Sequence, residues 1–241
     1  MAIYGLANPR KFMSFSAIVL PWAIGITVIL FVVGLWWSLV ESPPDYQQGE
    51  TVRIMYIHVP NATMSMLVYT FMVVASVVSL IWRHSLADVA ARVAAPIGAV
   101  FTALALITGS LWGKPMWGTW WEWDARMTSV LVLFFMYLGY MALWAMIEDQ
   151  IKAGRAAAIL AIVGFINIPI IKFSVDWWNT LHQPASLLRV GGPSIDSSML
   201  TPLLIMLVAF NFLFLVLQLA SMRAEITRQH VRAIYLAQAE G

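Results

Sequence analysis

Residues Ser16–Val40, SAIVLPWAIGITVILFVVGLWWSLV, run for twenty-five positions without a charged side chain. A backbone in hydrocarbon finds no outside partner for its N–H and C=O groups, so such a run satisfies itself as a helix. About 20 residues of helix cross the ~30 Å apolar layer of a bilayer. Five similar runs follow at about 60–82, 93–112, 127–147, 156–175 and 199–222, and Lys172 is the only charge inside any of the six. Of the 241 residues, 61% are hydrophobic and 11% charged, against about 25% charged in an ordinary soluble domain. The expected fold is an all-α integral membrane protein with six transmembrane helices, a single membrane domain over 1–241. Arg10 and Lys11 precede a first run too long for a signal-peptide core, so that helix is expected to stay in the membrane.

An even number of spans puts both termini on one side. That side carries nine of the fourteen Lys and Arg residues, among them Arg83, Arg92, Lys152, Arg155 and Arg223. The excess makes the termini cytoplasmic and explains a scattered net charge of +2 without nucleic acid. The segments 41–59, 113–126 and 176–198 then face outward, and 223–241 forms a polar, helical cytoplasmic tail. No cysteine is present, which excludes disulfides and thiolate metal sites. The one Gly-Lys pair, Gly113-Lys114, continues into Pro115, so the chain carries no phosphate-binding loop and no visible means of using ATP.

The outward segment Trp112–Asp124, WGKPMWGTWWEWD, holds five of the chain's twelve tryptophans: Trp112, Trp117, Trp120, Trp121 and Trp123. Interfacial belts place one or two aromatic residues at a helix end, as Trp36-Trp37 and Trp177-Trp178 do here. Five in twelve positions is too dense for a belt. If Pro115 opened a short helix, Trp117, Trp121 and Asp124 would share one face and Trp120 and Trp123 an adjoining one. Such a helix has no clean polar side, so it suits a broad aromatic platform better than a lipid anchor. Two outward histidines flank it. His58 lies in MYIHVP, where Pro60 fits the start of span two, and His182 lies in NTLHQP, where Pro184 stiffens a loop or a short interfacial helix.

A tetrapyrrole matches these residues. Its flat faces stack on indoles, its iron takes imidazole as an axial donor, and its propionates need cationic partners. Arg53, Arg126, Lys114 and Arg189 are the candidates for the last role, with Asp124 as an orienting acceptor. A quaternary-ammonium ligand in an aromatic cage is the iron-free alternative.

The pattern W-G-x-x-W-x-W-D followed by Ala125-Arg126-Met127-Thr128 resembles the tryptophan-rich WWD signature of haem-handling proteins in cytochrome c biogenesis. With YQQGETVRIMYIHVP before span two and FSVDWWNTLHQP before span six, the chain is similar over nearly its whole length to one family, cytochrome c maturation protein C (CcmC). The resemblance implies haem b held at the outer face of the bacterial inner membrane, with His58 and His182 as axial ligands. It implicates Trp112, Trp117, Trp121 and Asp124, with Trp120 and Trp123 in the same segment, and the basic residues Arg53 and Arg126. It further implies delivery of haem to the periplasmic chaperone CcmE, within a membrane complex containing CcmA, CcmB and CcmD. No catalytic residue follows from it, and a haem-transfer module is expected rather than an enzyme. Two other haem readings stay open: passage of haem through the bundle, and a bis-histidine membrane cytochrome b passing electrons to quinone.

Overall fold

Seven α-helices build the six spans in the computed structural model, which describes residues 8–178, 180–183, 186–187 and 191–239. They are α1 Pro9–Trp36, α2 Met55–Trp82, α3 Ser85–Trp117, α4 Ala125–Met146, α5 Gln150–Gly164, α6 Asn167–Trp177 and α7 Ser197–Ala239. A π-helical turn, Trp37–Glu41, extends α1, and a 3-10 turn, Glu50–Ile54, winds directly into α2. Six stretches are long and apolar enough to cross a membrane, with α5 and α6 together making the fifth. Pro184 and Arg189, each given a role above, lie outside the described residues.

The centre is a contact of α2 with α3, closed by α4, α5 and α7, while α1 packs chiefly along α7. Helices in lipid gain little from apolar burial, so close approach of small residues must hold them. Here α3 presents Ala91, Ala94, Ala95, Gly98 and Ala99, and the space they leave takes larger residues. Tyr56, Tyr69, Met64 and Met72 from α2, Leu133 and Tyr137 from α4, and Leu203 and Met206 from α7 are all fully buried. Tyr137 donates its hydroxyl to the Ser65 carbonyl of α2 at 2.8 Å. Its ring occupies the place where a side chain on Gly98 would be, since a Cβ there would lie 2.2 Å from Tyr137 Cζ.

Three local features depart from the sequence reading. Pro60 does not start α2; it is the sixth residue of a helix that begins at Met55. The 3-10 turn feeds the helix early, with Val52, Met55 and Tyr56 buried in the core. Pro60 leaves the Tyr56 carbonyl without its usual helical N–H. Pro115 likewise opens nothing. It sits in the last turn of α3, which ends at Gly118 with φ +76°, a left-handed cap that glycine adopts without steric cost. Residues 119–124 then run without helix, so Trp117, Trp121 and Asp124 do not share a helical face. The fifth span is broken at Phe165–Ile166. Pro169 has no N–H to offer the Phe165 carbonyl, and buried Asn167 spends its amide on the Ser129 carbonyl at 2.8 Å.

At one end of the bundle α7 continues as helix through Ala239. Its 43 residues span ~65 Å at 1.5 Å per residue, about twice the apolar layer. Arg223 ties it to α1 through the Met13 carbonyl and Ser16 Oγ, and Glu225 meets Arg92 of α3 at 3.4 Å. The start of α1 and the end of α7 lie at this end of the bundle. The starts of α2 and α4 and the ends of α3 and α6 lie at the other.

Candidate functional site

At that opposite end lies a cavity of about 910 Å³, within the roughly 300–1,000 Å³ typical of small-molecule sites. His58, Trp112, Trp117, Arg126 and His182 all line it. Two imidazoles separated by 124 positions in sequence therefore face one space.

His58 rides on the first turn of α2, so a helix fixes it rather than a loop. Its Nδ1 meets Thr108 Oγ1 of α3 at 3.1 Å. The ring lies against backbone: a Cβ on Gly109 would come within 3.0 Å of His58 Cε1. Trp112 braces it edge-on, with ring centroids 5.7 Å apart at 73°. Trp112 is itself held by its indole N–H, which donates to Gln48 Oε1 at 2.8 Å.

His182 comes from the segment after α6. Its backbone N–H donates to Thr180 Oγ1 at 2.9 Å, and its Nδ1 meets Asp124 Oδ2 at 2.8 Å. Trp117 braces this imidazole, with centroids 4.8 Å apart at 64°. Asp124 is buried and does two jobs. Its Oδ1 accepts from the Met127 backbone N–H at 2.7 Å, capping α4, while Oδ2 holds the histidine. Burial pushes the Asp124 carboxyl up, but the Met127 amide, His182 and Thr180 together outweigh this and hold it below the usual carboxylate range. Burial likewise pulls His182 below the ordinary imidazole value, more than the Asp124 carboxylate raises it. At neutral pH the pair is a neutral imidazole donating to a carboxylate, and the histidine's other nitrogen keeps its lone pair.

The remaining tryptophans stand apart from the cavity wall. Trp120 and Trp123 are exposed, Trp123 lies edge-on to Trp121 at 5.4 Å, and the Trp121 indole N–H is buried without a partner among the described residues. The platform expected from five indoles is thus divided. Two indoles from the end of α3 each brace a histidine, and three lie on the non-helical stretch leading to α4. The basic candidates divide as well. Arg126 lines the cavity and donates Nε to Ser174 Oγ at 3.2 Å. Arg53 is paired with Glu50 and reaches the Ser38 carbonyl at 3.1 Å, and Lys114 reaches the Gly118 carbonyl at 2.9 Å over the Trp120 ring. Sequence reasoning missed Thr108, Gly109 and Gln48. Each matters through a partner at least 50 positions away, which no local spacing reveals.

Fold and cavity together define a multi-pass membrane protein with a tryptophan-lined, bis-imidazole recess at one end of its bundle. A family model described as heme exporter protein C, CcmC, matches residues 2–237. The chain is 62% identical over 239 residues to heme exporter protein C of Bradyrhizobium diazoefficiens, covering 99% of this chain and 90% of that one. It is 47% identical over 221 residues to heme exporter protein C of Escherichia coli K12, covering 92% and 89%. It is 44% identical over 235 residues to that of Paracoccus denitrificans, covering 97% of each. The chain belongs to the heme exporter protein C family.

Proposed function

We propose that the protein binds haem b in this recess, between His58 and His182, and presents it for c-type cytochrome biogenesis. The observation that carries the reading is that two imidazoles, each already bonded through Nδ1, line one cavity. Among the described residues no three His, Asp or Glu side chains converge as a metal site. Two nitrogen donors suit a metal whose equatorial plane is already filled, as a porphyrin fills that of iron. Trp112 and Trp117 supply apolar contact, and Arg126 is the cation placed to meet a propionate. Large side chains fill the interior between α2, α4 and α7, which favours carriage at the rim over passage through the bundle.

The charge bias supports a recess at the periplasmic face of the inner membrane, with both termini cytoplasmic. The sequence resemblance supports the chaperone CcmE as acceptor, with CcmA, CcmB and CcmD in the membrane complex. Exposed Trp120 and Trp123 in the 113–126 segment lie on the presenting face.

Absorbance of protein purified from haem-replete cells tests the reading. A low-spin, bis-imidazole spectrum is expected, and His58→Ala and His182→Ala should each convert it to high-spin or empty protein. Wild-type Soret bands in both variants would remove the two ligands. Gly109→Ala is expected to act without touching a ligand. Its methyl pushes the His58 ring by a few tenths of an ångström, lowering haem occupancy several-fold while circular dichroism stays unchanged.

A further inference from the structure

Both imidazoles are gripped through Nδ1, but the gripping atoms differ in kind. A carboxylate can only accept, so the 2.8 Å contact with Asp124 puts the His182 proton on Nδ1. Thr108 has one hydroxyl proton, and the Leu104 carbonyl takes it at 2.6 Å. A carbonyl cannot donate, so at 3.1 Å the Thr108 oxygen must accept from His58 Nδ1–H. The Ala105 carbonyl, also acceptor-only, lies 3.4 Å from the same hydroxyl. Each histidine therefore keeps its Nε2 lone pair free. A charged acceptor draws the N–H proton more strongly than a neutral one, and it strengthens the opposite nitrogen as a donor.

We infer that Thr108 is a positioning residue that fixes His58 through a neutral oxygen while Asp124 fixes His182 through a carboxylate, so that the two imidazoles grip haem iron unequally and His58 lets go first. The inference rests on the haem reading above. In the exchange the iron–Nε2 bond to His58 breaks, the lone pair returns to that nitrogen, and an incoming donor's lone pair forms the new bond. No electron is transferred, and the proton on His58 Nδ1 stays there, donated to Thr108 Oγ1.

Two measurements on the full chain in detergent test this. The first needs no haem: ¹⁵N NMR of histidine-labelled protein should show His58 protonated at Nδ1. Thr108→Val should mix the tautomers, and Thr108→Ser should restore the wild-type signal. His58 protonated at Nε2 in the wild type, or unmoved by Thr108→Val, overturns the role given to Thr108. The second uses ferrous haem-loaded protein and carbon monoxide, which displaces one axial ligand. Thr108→Val should speed displacement about tenfold, and Thr108→Ser should leave it unchanged. The iron–carbon stretching frequency of the wild-type adduct should match that of His58→Ala, because both retain His182. A match to His182→Ala instead overturns the order of release. Failure of the haem reading looks different: wild-type protein would show no Soret band, with the first measurement still standing.

Discussion

Asp124→Asn should strip the protein of low-spin haem while leaving its fold in place. Asparagine keeps the oxygen that accepts from Met127 N–H, and asparagine caps helices about as well as aspartate, so α4 should start normally. The change falls on the other branch. An amide N–H would face His182 Nδ1 where a carboxylate oxygen now stands at 2.8 Å. Two donors cannot meet, so the ring moves its proton to Nε2 and offers iron no lone pair. Supporting residues of this kind typically hold 10–100-fold in metal affinity, and an enforced wrong tautomer belongs at the upper end. The expected result is at least a tenfold fall in haem occupancy, a high-spin residual spectrum, and a melting temperature near wild type. Asp124→Ala should show the same spectral loss plus about 1 kcal/mol of helix destabilisation. Equal haem occupancy in wild type and Asp124→Asn would show that the carboxylate does not set the tautomer.

The second large effect lies far from the cavity. Gly98→Ala adds one methyl group where Tyr137 Cζ, Cε1 and Oη lie within 2.2–2.3 Å of the new carbon. Real carbon atoms do not approach so closely, and the Tyr137 ring is fully buried and cannot swing into solvent. Moving it breaks the hydroxyl bond to the Ser65 carbonyl. Overpacking costs about 1–3 kcal/mol and stranding the buried polar pair about 1–3 more. At roughly 2–4 °C per kcal/mol for a chain of this size, the melting temperature should fall by about 10 °C. Tyr137→Leu makes room, so the double variant should recover part of that loss, and a double-mutant cycle in detergent measures the coupling. Additive losses would show that the two positions do not compete for one space.

The site was legible in its parts. His58, His182, Trp112, Trp117 and Arg126 stand out because histidine, tryptophan and arginine are conspicuous beside apolar spans, and all five line the cavity. The local geometry was not legible, because proline suits the first turn of a helix and so marks a start from sequence alone. Pro60 and Pro115 both lie inside helices instead. Neighbouring helices and burial compensate in a bundle for the hydrogen bond each proline removes. Gly118, with its positive φ, was the signal that ended α3.

Six spans follow from sequence alone, because hydrocarbon permits an uncharged run of this length one way to satisfy its backbone, wherever the other helices lie. The pairing of Trp112 with His58, of Trp117 and Asp124 with His182, and of Thr108 with the ring of α2 came only from the packed chain. Those contacts depend on how far α3 slides along α2 and where the segment after α6 returns. Small alanines and a bare glycine set that slide through close approach, and such packing leaves no periodic mark in the order of residues.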